Sequence, residues 1–213
     1  PDMEITSQFA SALLLSAWQL PFPLRIELPA RRISGSYLAL TRTLCARAGM
    51  TFLGAGERLE IPAGQEVRAG LPPGPADQGA AYPPAAAAAL TGERLLPPLD
   101  REQPDGLYPE LLAALGVPCR EEPGGLWVGR AGVLRPLDWE LGEAPDLVPV
   151  TAVLCALAPG RSRLRGAPQL AWKESDRIAA TAALVRALGR GSEQRADGLV
   201  IEGRGGPGAE APV

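Results

Sequence analysis

Histidine is absent from the 213 residues, and lysine occurs once, at Lys173. No apolar run reaches the ~18 residues that a membrane-crossing helix needs, and the first residues carry neither a basic leader nor a cleavage-type signal. Net charge of one sign is also scarce. A formal charge of −3 and a pI near 5.2 leave no general electrostatic footprint for nucleic acid or an anionic membrane. Any anionic ligand must therefore be held by a local cluster of cations, almost all of them arginines. Cysteine is limited to Cys45, Cys119 and Cys155, odd in number and widely spaced, which argues against a disulfide framework or a zinc site and for a reducing cytoplasm. What is plentiful is apolar material, 46% of residues, enough to bury a core. The start Pro1-Asp2-Met3-Glu4 gives the expectation that the natural N-terminus lies upstream.

The most informative pattern is a threefold repetition of helix, strand, helix and two short strands joined by a Gly-rich turn. In the first copy, residues 7–18 and 36–48 read as helices, 24–28 as a strand, and 51–53 with 58–61 as a hairpin. In the second, residues 77–90 and 106–115 read as helices, with strands at 94–96, 117–120 and 126–128. The third places helices at 146–157 and 173–188 and strands at 162–165, 193–195 and 199–202. Gln8, Asp77 and Asp146 open the copies, so both intervals, 77 − 8 and 146 − 77, are 69 residues. A unit of this kind cannot bury its apolar faces alone, so neighbouring copies must pack together. Pro83 and Pro84 should kink the second copy's first helix or delay its start. The Pro-rich stretch from Gly64 to Pro75 is the expected crossing between two lobes, giving domains at 1–70 and 71–203 and a mobile tail at 204–213.

Chemistry concentrates at Lys173-Glu174-Ser175-Asp176-Arg177-Ile178, at the entry to an Ala/Leu-rich helix. Read as helical, the spacing of Lys173, Glu174 and Arg177 brings two cations and a carboxylate to one face, and the free amides of a helix start add a preference for anions. A solvated, salt-bridged helix start fits the same residues. Ser7 fits an N-cap, Tyr37 a half-buried ring, and Asp146, preceded by proline at a helix start, another cap.

The run Lys173 to Ile178, followed by an Ala/Leu helix and Gly189, resembles the signature of the EPSP synthase family. Thr6-Ser7-Gln8-Phe9-Ala10-Ser11 is similar to that family's Ser-Ser-Gln-Phe stretch, Pro145-Asp146-Leu147-Val148 to its Pro-Asp segment, and the helix from Asp77 to its Asp-Ala-Ser-Ser-Ala helix. The resemblance runs to about Gly203. It implies an α/β fold of repeated βαβαββ units, as in the two inside-out barrels of the enolpyruvyl transferases, with one unit of one lobe and two of the other. It implies transfer of enolpyruvyl from phosphoenolpyruvate to the 5-hydroxyl of shikimate 3-phosphate by addition and elimination, in the shikimate pathway of aromatic amino-acid biosynthesis. No metal or organic cofactor is implied, and no nucleic-acid or membrane partner; the full-length enzyme is expected to be a cytoplasmic monomer.

By the same resemblance Ser7, Gln8, Ser34 and Tyr37 line the shikimate 3-phosphate side, although Ser34-Gly35-Ser36-Tyr37 departs from the family, which has a basic residue and a proline between its Ser and Tyr. Asp146 is the implied general base for the substrate hydroxyl, with Lys173 beside it to favour its charge and relay the proton. Glu174 is the implied acid for the methylene carbon, a role that needs a raised pKa. Arg177 clamps the phosphoenolpyruvate anion, and Gln169, where the family has asparagine, borders the substrate. The family's N-terminal Lys-Ser and Arg segment, Gly-Thr-Met-Arg stretch and C-terminal His-Arg and Lys elements have no counterpart here. The piece by itself is therefore expected to be inactive. Two other readings stay open at this point: the related transferase acting on UDP-N-acetylglucosamine, and a non-catalytic binding protein on a degraded transferase scaffold.

Overall fold

In the computed structural model, which describes residues 7–29, 35–54, 57–68 and 74–205, each apolar period named above is turned toward one of two separate cores. The chain divides into two units, Pro1–Gly74 and Pro75–Val213. In the first, helix α1 (Gln8–Ser16) buries Ala10 and Leu14 at i, i+4 spacing and continues into a 3₁₀ turn at Ala17–Gln19. Strand β1 (Leu24–Glu27) pairs antiparallel with β2 (Arg58–Ile61), Leu24 opposite Ile61 and Glu27 opposite Arg58. Between them runs α2 (Gly35–Arg47), which buries Leu38 and Cys45. Ile26, Leu59 and Ile61 come from alternate strand positions onto the same core. The expected hairpin arm at 51–53 is reduced to a bridge of Leu53 with Glu60. Its turn uses Gly54 at φ +86°, where a Cβ would stand 2.6 Å from the Arg58 carbonyl oxygen.

The second unit contains α3 (Gln78–Thr91), β3 (Arg94–Leu96), α4 (Tyr108–Ala114), β4 (Cys119–Glu122), β5 (Gly125–Val128), β6 (Asp138–Glu140), α5 (Val148–Leu157), β7 (Gly160–Arg165), α6 (Arg177–Ala187), β8 (Gly191–Arg195) and β9 (Gly198–Gly203). Its strands make a three-stranded sheet, β3-β5-β4, and a four-stranded sheet, β6-β7-β9-β8. The orders β3-β5-β4 and β7-β9-β8 match, and every pairing within them is antiparallel, so the sequence repeat is also a repeat of topology. The third copy adds β6, parallel to β7 and joined to it through α5, which completes a βαβαββ unit.

The first helices of the two copies, α3 and α5, pack together and meet through a buried hydrogen bond between the hydroxyls of Tyr82 and Thr151, 2.9 Å apart and 69 residues apart in sequence. The bond thus joins equivalent positions of the repeat. Alanines at 81, 85, 86, 88 and 89 keep the buried sides of α3 small enough for close approach.

Several boundaries differ from the sequence expectation. Pro83 and Pro84 do not delay α3, because the Asp77 side chain accepts from the Ala80 amide and fixes the start at Gln78; each proline removes one amide donor within the helix. The helices expected from residues 106 and 146 open as 3₁₀ turns, Pro104–Leu107 and Pro145–Leu147. The helix expected from Lys173 begins four residues later, at Arg177, after a 3₁₀ turn at Pro168–Trp172. Strand β6 has no counterpart in the sequence reading. Among the described residues, no helix is long and apolar enough to cross a membrane.

Candidate active site

Parallel strands β6 and β7 send their following loops to the same edge of the sheet, since a crossover through α5 returns the chain in the same direction. The loop after β6 carries Asp146, in the 3₁₀ turn before α5, and the loop after β7 carries Lys173 and Glu174 before α6. A cross-link holds the two loops together. The Gln169 side-chain amide donates to the Gly142 carbonyl at 2.9 Å, and Gln169 is buried. Close approach here requires glycine, for a Cβ on Gly142 would lie 2.6 Å from the Gly166 carbonyl oxygen. From the other side, the turn between β8 and β9 braces the second loop through Asp197, whose side chain accepts from the Gly166 amide at 3.2 Å.

On this frame the charged groups converge. Asp146 Oδ1 accepts from Arg177 Nη1 at 2.8 Å and lies 3.6 Å from Lys173 Nζ. The other guanidinium nitrogen, Arg177 Nη2, donates to Glu174 Oε2 at 2.9 Å. Side-chain exposure is 21% for Lys173, 33% for Arg177, 38% for Asp146 and 77% for Glu174, so the two cations and Asp146 are partly desolvated and Glu174 is at the rim. The Glu174 carboxyl is held below the usual glutamate range by a hydrogen bond from its own backbone amide and by the Arg177 charge, with a smaller contribution from Lys173. That direction is opposite to what a proton donor needs.

Lys173 and Arg177 therefore meet, but not along one helix face. Lys173 is extended, with ψ −168°, and Arg177 is the first residue of α6, capped by Asp176, whose carboxylate accepts from the Ala179 amide at 2.9 Å. Asp176 was a readable signal, an N-cap residue directly before an Ala/Leu run. Gly142 and Asp197 were not readable, because their roles depend on loops distant in sequence.

The residues expected on the shikimate 3-phosphate side lie in the first unit. Ser7 is buried at the cap position of α1 and makes no side-chain capping bond; Gln8 is the exposed first residue of that helix, and Tyr37 is half-buried in the first turn of α2. One turn beyond Ser7 and Tyr37, the hydroxyls of Ser11 and Thr41 are 3.0 Å apart and link the two helices. Ser34 lies outside the described residues. Among the described residues no group of three or more His, Cys, Asp or Glu is placed to hold a metal ion.

Comparison with known proteins places this arrangement in a family. The sequence model described as EPSP synthase (3-phosphoshikimate 1-carboxyvinyltransferase) matches residues 2–210. A 3-phosphoshikimate 1-carboxyvinyltransferase of Aeropyrum pernix is 39% identical over 218 residues, covering 100% of this chain and 49% of the relative. Its counterpart from Syntrophobacter fumaroxidans is 35% identical over 206 residues, covering 95% and 49%. The chain spans about half the length of the curated relatives it matches. A solved EPSP synthase of Acinetobacter baumannii superposes with a TM-score of 0.66 at 22% identity, over 96% of this chain and 48% of that one, which supports the fold. With the repeat, the topology and the family match in agreement over nearly its whole length, the chain belongs to the EPSP synthase family.

Proposed function

We propose that this chain forms part of a 3-phosphoshikimate 1-carboxyvinyltransferase and contributes the Asp146, Lys173, Glu174 and Arg177 side of its active site. The observation that carries the reading is the single contact network in which Asp146 meets both Lys173 and Arg177 while Arg177 reaches Glu174. In the reaction the 5-hydroxyl of shikimate 3-phosphate adds to C2 of phosphoenolpyruvate while the methylene carbon takes a proton. The tetrahedral intermediate then loses a proton from the new methyl group and expels phosphate, which restores the double bond.

Asp146 takes the hydroxyl proton, and Lys173 beside it stabilises the negative charge and passes the proton on. Arg177 offers the planar fork that suits a carboxylate or phosphate, and Glu174, adjacent to it, exchanges the proton with the methylene carbon. Gln169 positions the loop that carries Lys173. Ser7, Gln8, Ser34 and Tyr37 serve the shikimate 3-phosphate side, where hydroxyl and amide groups suit phosphate and ring hydroxyls. The first unit belongs to one lobe of the whole enzyme and the second unit to the other. The whole enzyme works as a cytoplasmic monomer.

Both substrates carry a phosphate and a carboxylate, and Lys173 and Arg177 are too few cations to balance them. The chain alone should therefore release no measurable phosphate when given both substrates. A polypeptide in which it replaces the matched half of the Aeropyrum pernix relative should turn over. In that protein Lys173→Met and Glu174→Gln should each slow phosphate release by roughly 10²- to 10⁴-fold with the fold intact. Near-normal rates in both variants, or full activity of the chain alone, would reject the assignment.

A further inference from the structure

Both terminal nitrogens of Arg177 are engaged by carboxylates of the same site, Nη1 by Asp146 and Nη2 by Glu174. A ligand anion that pairs with the guanidinium bidentately must use at least one of these two nitrogens, beside a carboxylate of like charge already bonded there. The two carboxylates are not held equally. Asp146 is the more buried and also faces Lys173 at 3.6 Å, whereas Glu174 is 77% exposed and Arg177 is its one ion-pair partner among the described residues. An ion pair of that kind at a surface is weak and easily exchanged.

From this geometry we infer that Glu174 competes with the incoming anion for Arg177, so that anion binding displaces Glu174 from the guanidinium while Asp146 keeps its contacts. The inference rests on the reading of Arg177 as the anion-holding residue. Its consequence is a coupling within the site: the event that seats the anion also removes from Glu174 the nearest cation that keeps it ionised. The charged groups acting on it are then Lys173 and the bound anion, while Asp146 stays with Lys173 and Arg177 and Asp176 stays committed to the helix cap. An anion brought close and a cation drawn away both favour the protonated carboxyl. Glu174 thus becomes a proton donor only when there is something to protonate. Loss of the Arg177 contact removes one of the two main causes of its depressed pKa, the other being the hydrogen bond from its own backbone amide.

The test is a calorimetric titration of the 213-residue chain with inorganic phosphate, and separately with phosphoenolpyruvate, at low ionic strength. Glu174→Gln should bind phosphate about two- to fivefold more tightly than the unaltered chain, the range expected for removing a weak exposed ion pair. Glu174→Asp, which keeps the charge but falls short of Nη2, should lie between the two. Arg177→Gln should bind least. Glu193→Gln, in an exposed pair with Arg195, should leave the affinity unchanged. Equal or weaker phosphate binding by Glu174→Gln overturns the inference, as does a Glu174→Asp variant indistinguishable from the unaltered chain, which would mean through-space repulsion without displacement. Absence of phosphate binding in every variant overturns it too. A phosphate series that behaves as stated while phosphoenolpyruvate fails to bind supports the exchange and counts against the proposed substrate instead.

Discussion

Cys119 is the residue at which two related chemistries part. A transferase that relied on a reactive cysteine would need a thiolate near neutral pH, and burial together with the Glu110 charge pushes the Cys119 thiol up to about 11. Cys155 is likewise raised to about 11 by burial, and Cys45 is raised by burial as well. At pH 8 a thiol with that pKa is ionised on the order of one part in a thousand. The native chain should therefore react negligibly with a disulfide reagent over minutes at pH 8, and all 3 cysteines should react once it is denatured. Rapid labelling of one thiol in the folded protein would contradict this and reopen the reading as the related transferase acting on UDP-N-acetylglucosamine. Residue chemistry of this kind was legible beforehand: Cys119 stands between Pro118 and Arg120 on a strand, not within a loop. Gln169 was only half legible. Its expected place beside the substrate came from the family resemblance, and its bond to Gly142 depends on a loop 27 positions away.

At the scale of elements, the start of α6 is where the sequence reading and the structure differ most. The density of charge from Lys173 to Arg177 invited a helix through the whole motif, yet Asp176 caps the helix, and the preceding residues form a loop that can bend toward Asp146. Asp176→Ala should lower stability by about 1 kcal/mol, the usual worth of such a cap, and Asp176→Asn by less, because an asparagine oxygen accepts the same amide bond. Urea denaturation of the three proteins decides this. Equal midpoints would mean that packing of Ile178 and Ala182, not the cap, holds the helix start. The strand β6 explains why the loop finds Asp146 at all. Three residues, Asp138-Trp139-Glu140, are too short to register as a period, and their strand exists because β7 offers a free edge with which to pair in parallel.

At the scale of the whole molecule, the two units are unequal in what they bury. The second unit has an extended core from α3, α4, α5, α6 and both sheets, whereas the first has two helices over a two-stranded sheet. Two-stranded sheets have little stability of their own. The repeat also identifies what the first unit leaves uncovered: Leu13 is equivalent to Tyr82 and Thr151 at intervals of 69, but Leu13 is 38% exposed and Phe9, one turn earlier, is 53% exposed. Amides of α1 and α2 should consequently exchange with deuterium much faster than those of α3 and α5 in the isolated chain, by local opening of the smaller unit. Equal protection across both units would show that the first unit is held by more than its own core.

The threefold pattern, most of the element types within it and the residues proposed to carry chemistry were legible in the sequence, because helical and strand periods, proline and glycine positions and a charged motif are local properties. Neither the pairing of β6 with β7 nor the resulting meeting of Asp146 with Lys173 and Arg177 was local. Those contacts span 27 and 31 residues, and no period along the chain specifies which strand edges join or to which side the following loops emerge. Tertiary structure decided them, through parallel pairing and a crossover that delivers both loops to one edge. It also decided the charge state that matters most, since the depressed pKa of Glu174 depends on where its own backbone amide and the Arg177 guanidinium stand in space.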